Sequence, residues 1–221
     1  MNRARIATVF VPYVVVSLIY LVAQYAGATE VTDFVKPLLM PVLLAGVLFG
    51  IARVRSELAV LTSVALVFSW LGDVTLGAVG DIWFLVGLGF FLLAHVVYVV
   101  LFVRRLKAGP LRPWALAYIA WWVALLVVLW PHLGSLLVPV AVYGLVLGAM
   151  GAIGLSCNRW VAIGGALFVV SDSLLGLNRF HPEFELWQVH TLIMLTYIAA
   201  QGLIAFGVIR ASYTPVAVSR S

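Results

Sequence analysis

Asp73 and Asp172 are the two residues of this chain that most demand a chemical explanation. Each lies inside a long apolar run, in Gly72-Asp73-Val74-Thr75-Leu76-Gly77 and in Ser171-Asp172-Ser173-Leu174-Leu175-Gly176. A carboxylate at mid-bilayer costs about 2.5 to 3.5 kcal/mol on insertion scales, so each requires a partner, a hydrated cavity or a function. Two carboxylates sharing a sheltered site can divide their roles, one holding a proton and the other staying ionised, which is the equipment of acid–base catalysis. The same pair can carry protons in a transporter, and the plainest alternative is two hydrated carboxylates near the outer interface, bonded to neighbouring hydroxyls. Small residue, Asp, two positions, Leu, Gly recurs after 99 residues and four helices, a pattern compatible with a parallel internal repeat.

Other polar groups fall inside apolar runs too. Lys36, beside Pro37 at the start of the second run, can snorkel to headgroups, hold a phosphate or face one of the aspartates. His95, Tyr98, Tyr143, Tyr197 and Gln201 project from the fourth, sixth and eighth runs, and Ser171 precedes the second aspartate. Singly, each is explained by hydrogen bonding between helices; together they can line one polar pocket. No metal is expected, because His95, His132, His181 and His190 contain no pair at the i, i+4 spacing of a helical zinc motif. Cys157 has no Asp or His beside it, and as the single cysteine it forms no internal disulfide. The GxxxG spacings Gly46 to Gly50 and Gly144 to Gly148 let helices approach closely, and most of the eight tryptophans mark helix ends as interfacial anchors.

The elements that must position these residues follow from composition. Of 221 residues, 65% are hydrophobic and 10% charged, and the mean hydropathy is +1.17. So few charges cannot cover a water-facing surface, which excludes a soluble domain, a disulfide scaffold, a coiled coil and a nucleic-acid binder. The apolar runs are continuous where an outer-membrane barrel would alternate, so they read as helices. Charge clusters, Pro and Gly divide them into eight spans: Ile6 to Ala26, Phe34 to Ile51, Glu57 to Ala78, Ile82 to Val103, Pro113 to Pro131, Gly134 to Cys157, Trp160 to Leu177 and Leu186 to Ile209.

Charge supports that division. Eleven of the 13 Lys and Arg fall on one set of loops and termini, and only Lys36 and Arg179 on the other. Glu30, Asp33, Asp81, Glu183 and Glu185 sort to the poorly basic side, with Glu57 alone among the arginines. The expected fold is therefore an all-α integral membrane bundle of eight transmembrane helices, N- and C-termini cytoplasmic. Residues 1–211 form a single transmembrane domain and 212–221 a disordered cytoplasmic tail; the expected location is the bacterial plasma membrane. Arg3 and Arg5 ahead of the first run mimic a signal peptide, but its apolar stretch is longer than a usual signal core and reads as a helix. At about 1.5 Å per residue, Asp73 lies roughly 24 Å beyond Glu57 and Asp172 roughly 18 Å beyond Trp160, at comparable depth in the outer half.

The ordered set of motifs resembles the YhhN family of lysoplasmalogenase-like membrane proteins. The matching segments are Lys36-Pro37-Leu38-Leu39-Met40, Phe68-Ser69-Trp70-Leu71-Gly72-Asp73, Phe91-Leu92-Leu93-Ala94-His95-Val96-Val97-Tyr98, Gly165 to Ser173 and Tyr197-Ile198-Ala199-Ala200-Gln201. The resemblance implies an eight-helix hydrolase that cleaves the vinyl ether bond of lysoplasmalogens, releasing a fatty aldehyde and glycerophosphoethanolamine or glycerophosphocholine. The related ceramidase-like hydrolases hold zinc with several histidines, a set that this chain lacks, and no cofactor is implied. Partners are then a lysophospholipid substrate and membrane lipids.

Vinyl ether hydrolysis begins with protonation of the alkenyl carbon remote from oxygen, giving an oxocarbenium ion that water traps as a hemiacetal. An acid and an ionised neighbour handle such a state in glycoside hydrolysis. Asp73 and Asp172 are the expected dyad, Lys36 the phosphate holder, and His95, Tyr98, Tyr143, Ser171, Tyr197 and Gln201 the groups that orient dyad or water. The alternative class is a small lipid or proton-coupled transporter, in which the aspartates carry protons.

Overall fold

The computed structural model describes residues 8–106, 108–111 and 113–213, and every regular element among them is helical. Apolar runs without alternation fold this way because hydrocarbon offers no partner for an N–H or C=O, so each run must satisfy its own backbone. The elements are α1 (Val11–Tyr25), α2 (Thr29–Val35), a 3-10 turn Lys36–Leu38, α3 (Leu39–Gly50), α4 (Glu57–Leu76), α5 (Asp81–Arg104), α6 (Leu116–Leu133), α7 (Leu137–Gly154), α8 (Arg159–Phe180) and α9 (Val189–Ser212). Two starts are capped by side chains: Ser56 Oγ accepts from Ala59 N at 3.2 Å, and Asn158 Oδ1 accepts from Trp160 N at 3.1 Å.

Among the described residues, six helical stretches are long and apolar enough to cross a membrane: Thr29–Gly50, Glu57–Leu76, Asp81–Arg104, Pro113–Gly154, Arg159–Phe180 and Val189–Ser212. The second expected span begins earlier than the hydropathy suggested, because α2, the 3-10 turn and α3 stack as one helical stretch with Pro37 in the turn. Pro113–Gly154 folds back on itself. Gly134 takes φ +50°, a conformation costly for a residue with a Cβ, and α7 returns along α6, where Trp122 Nε1 donates to the Ala141 carbonyl at 3.0 Å. At 15 residues α1 is about 22 Å long, short of a hydrocarbon core of about 30 Å. The expected tail lies outside the described residues from 214 on, whereas Ser212 ends α9 and Tyr213 Oη donates to the Gly50 carbonyl at 2.9 Å.

The bundle is apolar on its outer face as well as in its core, and a small set of polar groups is buried within it. Val14, Leu18, Phe49, Val127 and Leu195 are exposed, while Ser17, Thr62, Ser69, Asp73, His95, Ser171 and Gln201 are buried. In lipid the outward groups meet hydrocarbon at no cost and the polar groups find partners in the interior. The two most extensive helix pairings are α4 with α5 and α8 with α9. These pairs are related by the same 99-residue offset that relates Asp73 to Asp172, and that offset also relates Tyr98 to Tyr197. The most enclosed helix is α9, which packs on α1, α3, α4 and α8. At the basic end, Glu57 pairs with Arg104 at 3.0 Å and with Arg105, joining α4 to α5.

Close helix approach depends on missing side chains. The Gly144–Gly148 spacing faces Trp122 and Trp121 of α6, an intramolecular contact. Gly164 is tighter: a Cβ there would lie 2.8 Å from the Ala200 carbonyl oxygen, which belongs to the backbone of α9 and cannot swing away. Gly164→Val is expected to force α8 and α9 apart and lower stability by about 1 to 3 kcal/mol. The check is thermal unfolding in detergent; a wild-type midpoint would show that the helices separate freely.

Candidate active site

Both aspartates line one cavity of about 590 Å³. Asp73 comes from α4 and Asp172 from α8, two helices that share no extensive contact; α9 packs on both and the cavity lies between them. Each carboxylate holds a phenol from another helix. Tyr197 Oη on α9 donates to Asp73 Oδ2 at 2.7 Å, and Tyr143 Oη on α7 donates to Asp172 Oδ2 in a short hydrogen bond. Asp73 is 5% exposed, and Asp172 lines the same cavity from α8, the wall helix in contact with α9. Each has a second oxygen besides the one the phenol engages, which is the geometry that proton transfer to or from a bound group requires.

Of the other expected site residues, Lys36, Tyr143, Ser171 and Tyr197 also line the cavity. Lys36 is carried by the 3-10 turn, which Trp70 of α4 pins by donating from Nε1 to the Pro37 carbonyl at 2.9 Å. That anchor brings the Lys36 charge to bear on Asp73. Ser171 Oγ is turned to the Ile193 carbonyl at 3.0 Å, tying α8 to α9 beside the dyad.

His95, Tyr98 and Gln201 do not line the cavity; they lie behind its wall, each no more than 1% exposed. Gln201 is a junction: its Oε1 accepts from Tyr98 Oη at 2.6 Å, and its Nε2 donates to Ser69 Oγ at 2.9 Å and, more weakly, to Tyr197 Oη at 3.4 Å. The chain Tyr98–Gln201–Tyr197–Asp73 therefore runs from the bundle interior to one carboxylate. His95 sits in an aromatic cage, 4.6 Å from the Phe168 ring centroid and 5.4 Å from that of Tyr143. Phe168 in turn packs edge-on to Tyr197 at 5.5 Å, so the cage supports both phenols that hold the acids.

The rest of the cavity divides into a greasy wall and a polar mouth. Leu88, Leu125, Leu126, Leu129, Val140 and Leu147 supply the wall, with Trp121 and Trp122 in the middle of α6 instead of at its end. Trp83, Trp114, Trp130 and Trp187 are the exposed tryptophans near helix ends. Trp121 Nε1 donates to Ser173 Oγ at 2.9 Å, one residue from Asp172. Tyr20, Gln24, Asp33, Asn178, Arg179 and His190 also line the cavity and are not among the site residues expected from the sequence. A signal existed for one of them: Arg179, with Lys36, is one of the two cations left on the acidic side by the charge sorting. Among the described residues no three His, Cys, Asp or Glu side chains converge as a metal site would require.

The YhhN family model matches residues 31–208 of this chain, a range that holds both carboxylates and both phenols. A lysoplasmalogenase of Mycobacterium bovis is 39% identical over 153 residues, covering 65% of this chain and 58% of that protein. Lysoplasmalogenase TMEM86B of Rattus norvegicus is 35% identical over 152 residues, covering 65% and 63%, and that of Homo sapiens is 36% identical over 155 residues, covering 63% and 62%. The chain thus spans roughly three-fifths of the length of these relatives. No solved structure matches it.

Proposed function

Because the chain belongs to the YhhN family, we propose that it is a membrane-embedded lysoplasmalogenase, which adds water across the vinyl ether bond of a lysoplasmalogen to give a fatty aldehyde and glycerophosphoethanolamine or glycerophosphocholine. The relatives at 35 to 39% identity that carry the lysoplasmalogenase name support the reaction class. The observation that carries the reading is the presence of Asp73 and Asp172 in one cavity lined both by leucines and by the charged Lys36, Asp33 and Arg179. At about 590 Å³ the cavity is of the size that binds small molecules.

In this mechanism the alkenyl chain lies along the leucine wall and brings the double bond between the acids. One aspartic acid gives its proton to the alkenyl carbon remote from oxygen, leaving an oxocarbenium ion. The other, ionised, carboxylate stabilises the cation and takes a proton from the water that attacks it; it then gives that proton to the leaving glyceryl oxygen while the first carboxylate takes the hemiacetal hydroxyl proton, so that the hemiacetal collapses to aldehyde and alcohol. One water is consumed and the dyad regains its starting protonation. Tyr143 and Tyr197 orient the acids, Gln201 and Tyr98 hold Tyr197, the His95 cage backs both phenols, and Ser171 keeps α8 seated on α9. Lys36 places positive charge where the phosphate enters. The topology in this reading is eight crossings with both termini in the cytoplasm, in the bacterial plasma membrane: the six long stretches with α6 and α7 counted separately, and the shorter α1 as the first.

The test is incubation of purified protein in detergent with a lysoplasmalogen, reading aldehyde and glycerophospho-alcohol in equal amounts. Release without any gradient is the expected result. Absence of aldehyde, with proton-driven lipid movement in vesicles, would reassign the aspartates to proton carriage.

A further inference from the structure

Among the described residues, two Lys or Arg side chains line the cavity, Lys36 from the 3-10 turn and Arg179 from the end of α8. Arg179 stands seven residues beyond Asp172 on α8. At 3.6 residues per turn, seven residues are almost two full turns, so the two side chains share a face and are offset by about 10 Å along the axis. In a lysoplasmalogen seven covalent bonds, about 9 Å when extended, separate the carbon that receives the proton from phosphorus. With that carbon at the dyad, the phosphate falls at the level of Arg179.

The arginine is held ready for such a ligand. Its Nη2 donates to Asp81 Oδ1 at 2.6 Å, and its guanidinium lies 4.9 Å from the ring centroid of Phe84, another cavity residue. The Asp81 side chain is 80% exposed, so water screens that ion pair and it does not compete strongly with a phosphate. A guanidinium carries five N–H donors in a rigid fork suited to two phosphate oxygens at once, and Asp81 engages only one nitrogen. Asp33 on the wall of Lys36 gives the mouth mixed sign, which suits a headgroup with an ammonium beyond its phosphate.

We infer that Arg179, together with Lys36, clamps the lysolipid phosphate and so makes the cavity select phosphate-bearing ether lipids over neutral alkenylglycerols. This rests on the hydrolase reading above and adds the group that sets headgroup class. The experiment compares kcat/KM for a lysoplasmenylethanolamine and for a 1-O-alkenylglycerol of the same chain. The wild type is expected to prefer the phospholipid more than tenfold, and Arg179→Gln to lower that ratio by about 10- to 100-fold, the size of a lost charge-assisted fork. Arg179→Lys, which keeps the charge without the fork, is expected to fall between. An unchanged ratio in Arg179→Gln, or a wild-type ratio near one, overturns the clamp. Binding of the uncleavable 1-O-alkyl-glycerophosphoethanolamine, read by tryptophan quenching against 1-O-alkylglycerol, tests it separately from turnover. If no substrate is cleaved but Arg179→Gln still weakens that binding at least tenfold, the hydrolase reading fails and the clamp stands; equal affinities reject the clamp.

Discussion

Asp73→Asn and Asp172→Asn are each expected to lower aldehyde release from a lysoplasmalogen by about 10³-fold, the middle of the range for removing a positioned proton donor or acceptor. The two losses are alike because the proposed mechanism needs both partners: without the acid no oxocarbenium ion would form, and without the carboxylate it would be neither stabilised nor hydrated. Folding should survive. Asparagine has nearly the volume of aspartate, and its carbonyl oxygen can still accept from Tyr197 Oη or Tyr143 Oη. Because α4 and α8 meet chiefly through α9, no direct packing between them is at stake. The measurements are kcat on purified variants and thermal unfolding in the same detergent. Near-normal turnover in either variant would remove that aspartate from the chemistry, and a collapsed unfolding midpoint would show that its role is architectural.

Tyr143→Phe and Tyr197→Phe should each lower kcat by about 10- to 100-fold, the worth of one hydrogen bond to a charged or proton-sharing group in a sheltered site. The phenyl rings remain to fill the cage around His95 and Phe168, so the change is confined to the hydroxyl. Since each phenol addresses a different acid, the double variant should lose roughly the product of the two factors if the carboxylates act as separate donor and acceptor. Unaltered kcat in both single variants, with wild-type unfolding, would mean that the phenols only fill space.

Much of this protein is legible along the chain because insertion into hydrocarbon is a local cost. Every residue placed at depth is charged for its own polarity, so a run such as Asp81–Arg104 announces itself as a helix, and a carboxylate within such a run stands out. Charge sorting is equally local, and it marked Lys36 and Arg179 as exceptions before any geometry was known. Less legible were the edges. Around Pro37 the missing N–H tightens the chain into a 3-10 turn without ending the helical stretch, so the second span starts at Thr29 and not at Phe34. Gln201 and Tyr98 read as pocket residues by type, yet they lie behind the wall, since type does not reveal which way a helix is turned. Trp121 and Trp122 read as interfacial anchors but line the cavity for the same reason.

By itself, then, the sequence determined that the chain is helical and membrane-bound, and which two acids are costly enough to need a purpose. Only the tertiary structure decided that these acids open into one cavity, that each takes a phenol from a helix distant in sequence, and that an arginine two turns from Asp172 lines the same cavity. The reason is that depth in the bilayer follows from position along a helix, whereas convergence depends on the rotation of each helix about its axis. That rotation is settled by contacts between helices, as at Gly164 against the backbone of α9, and no single run carries that information.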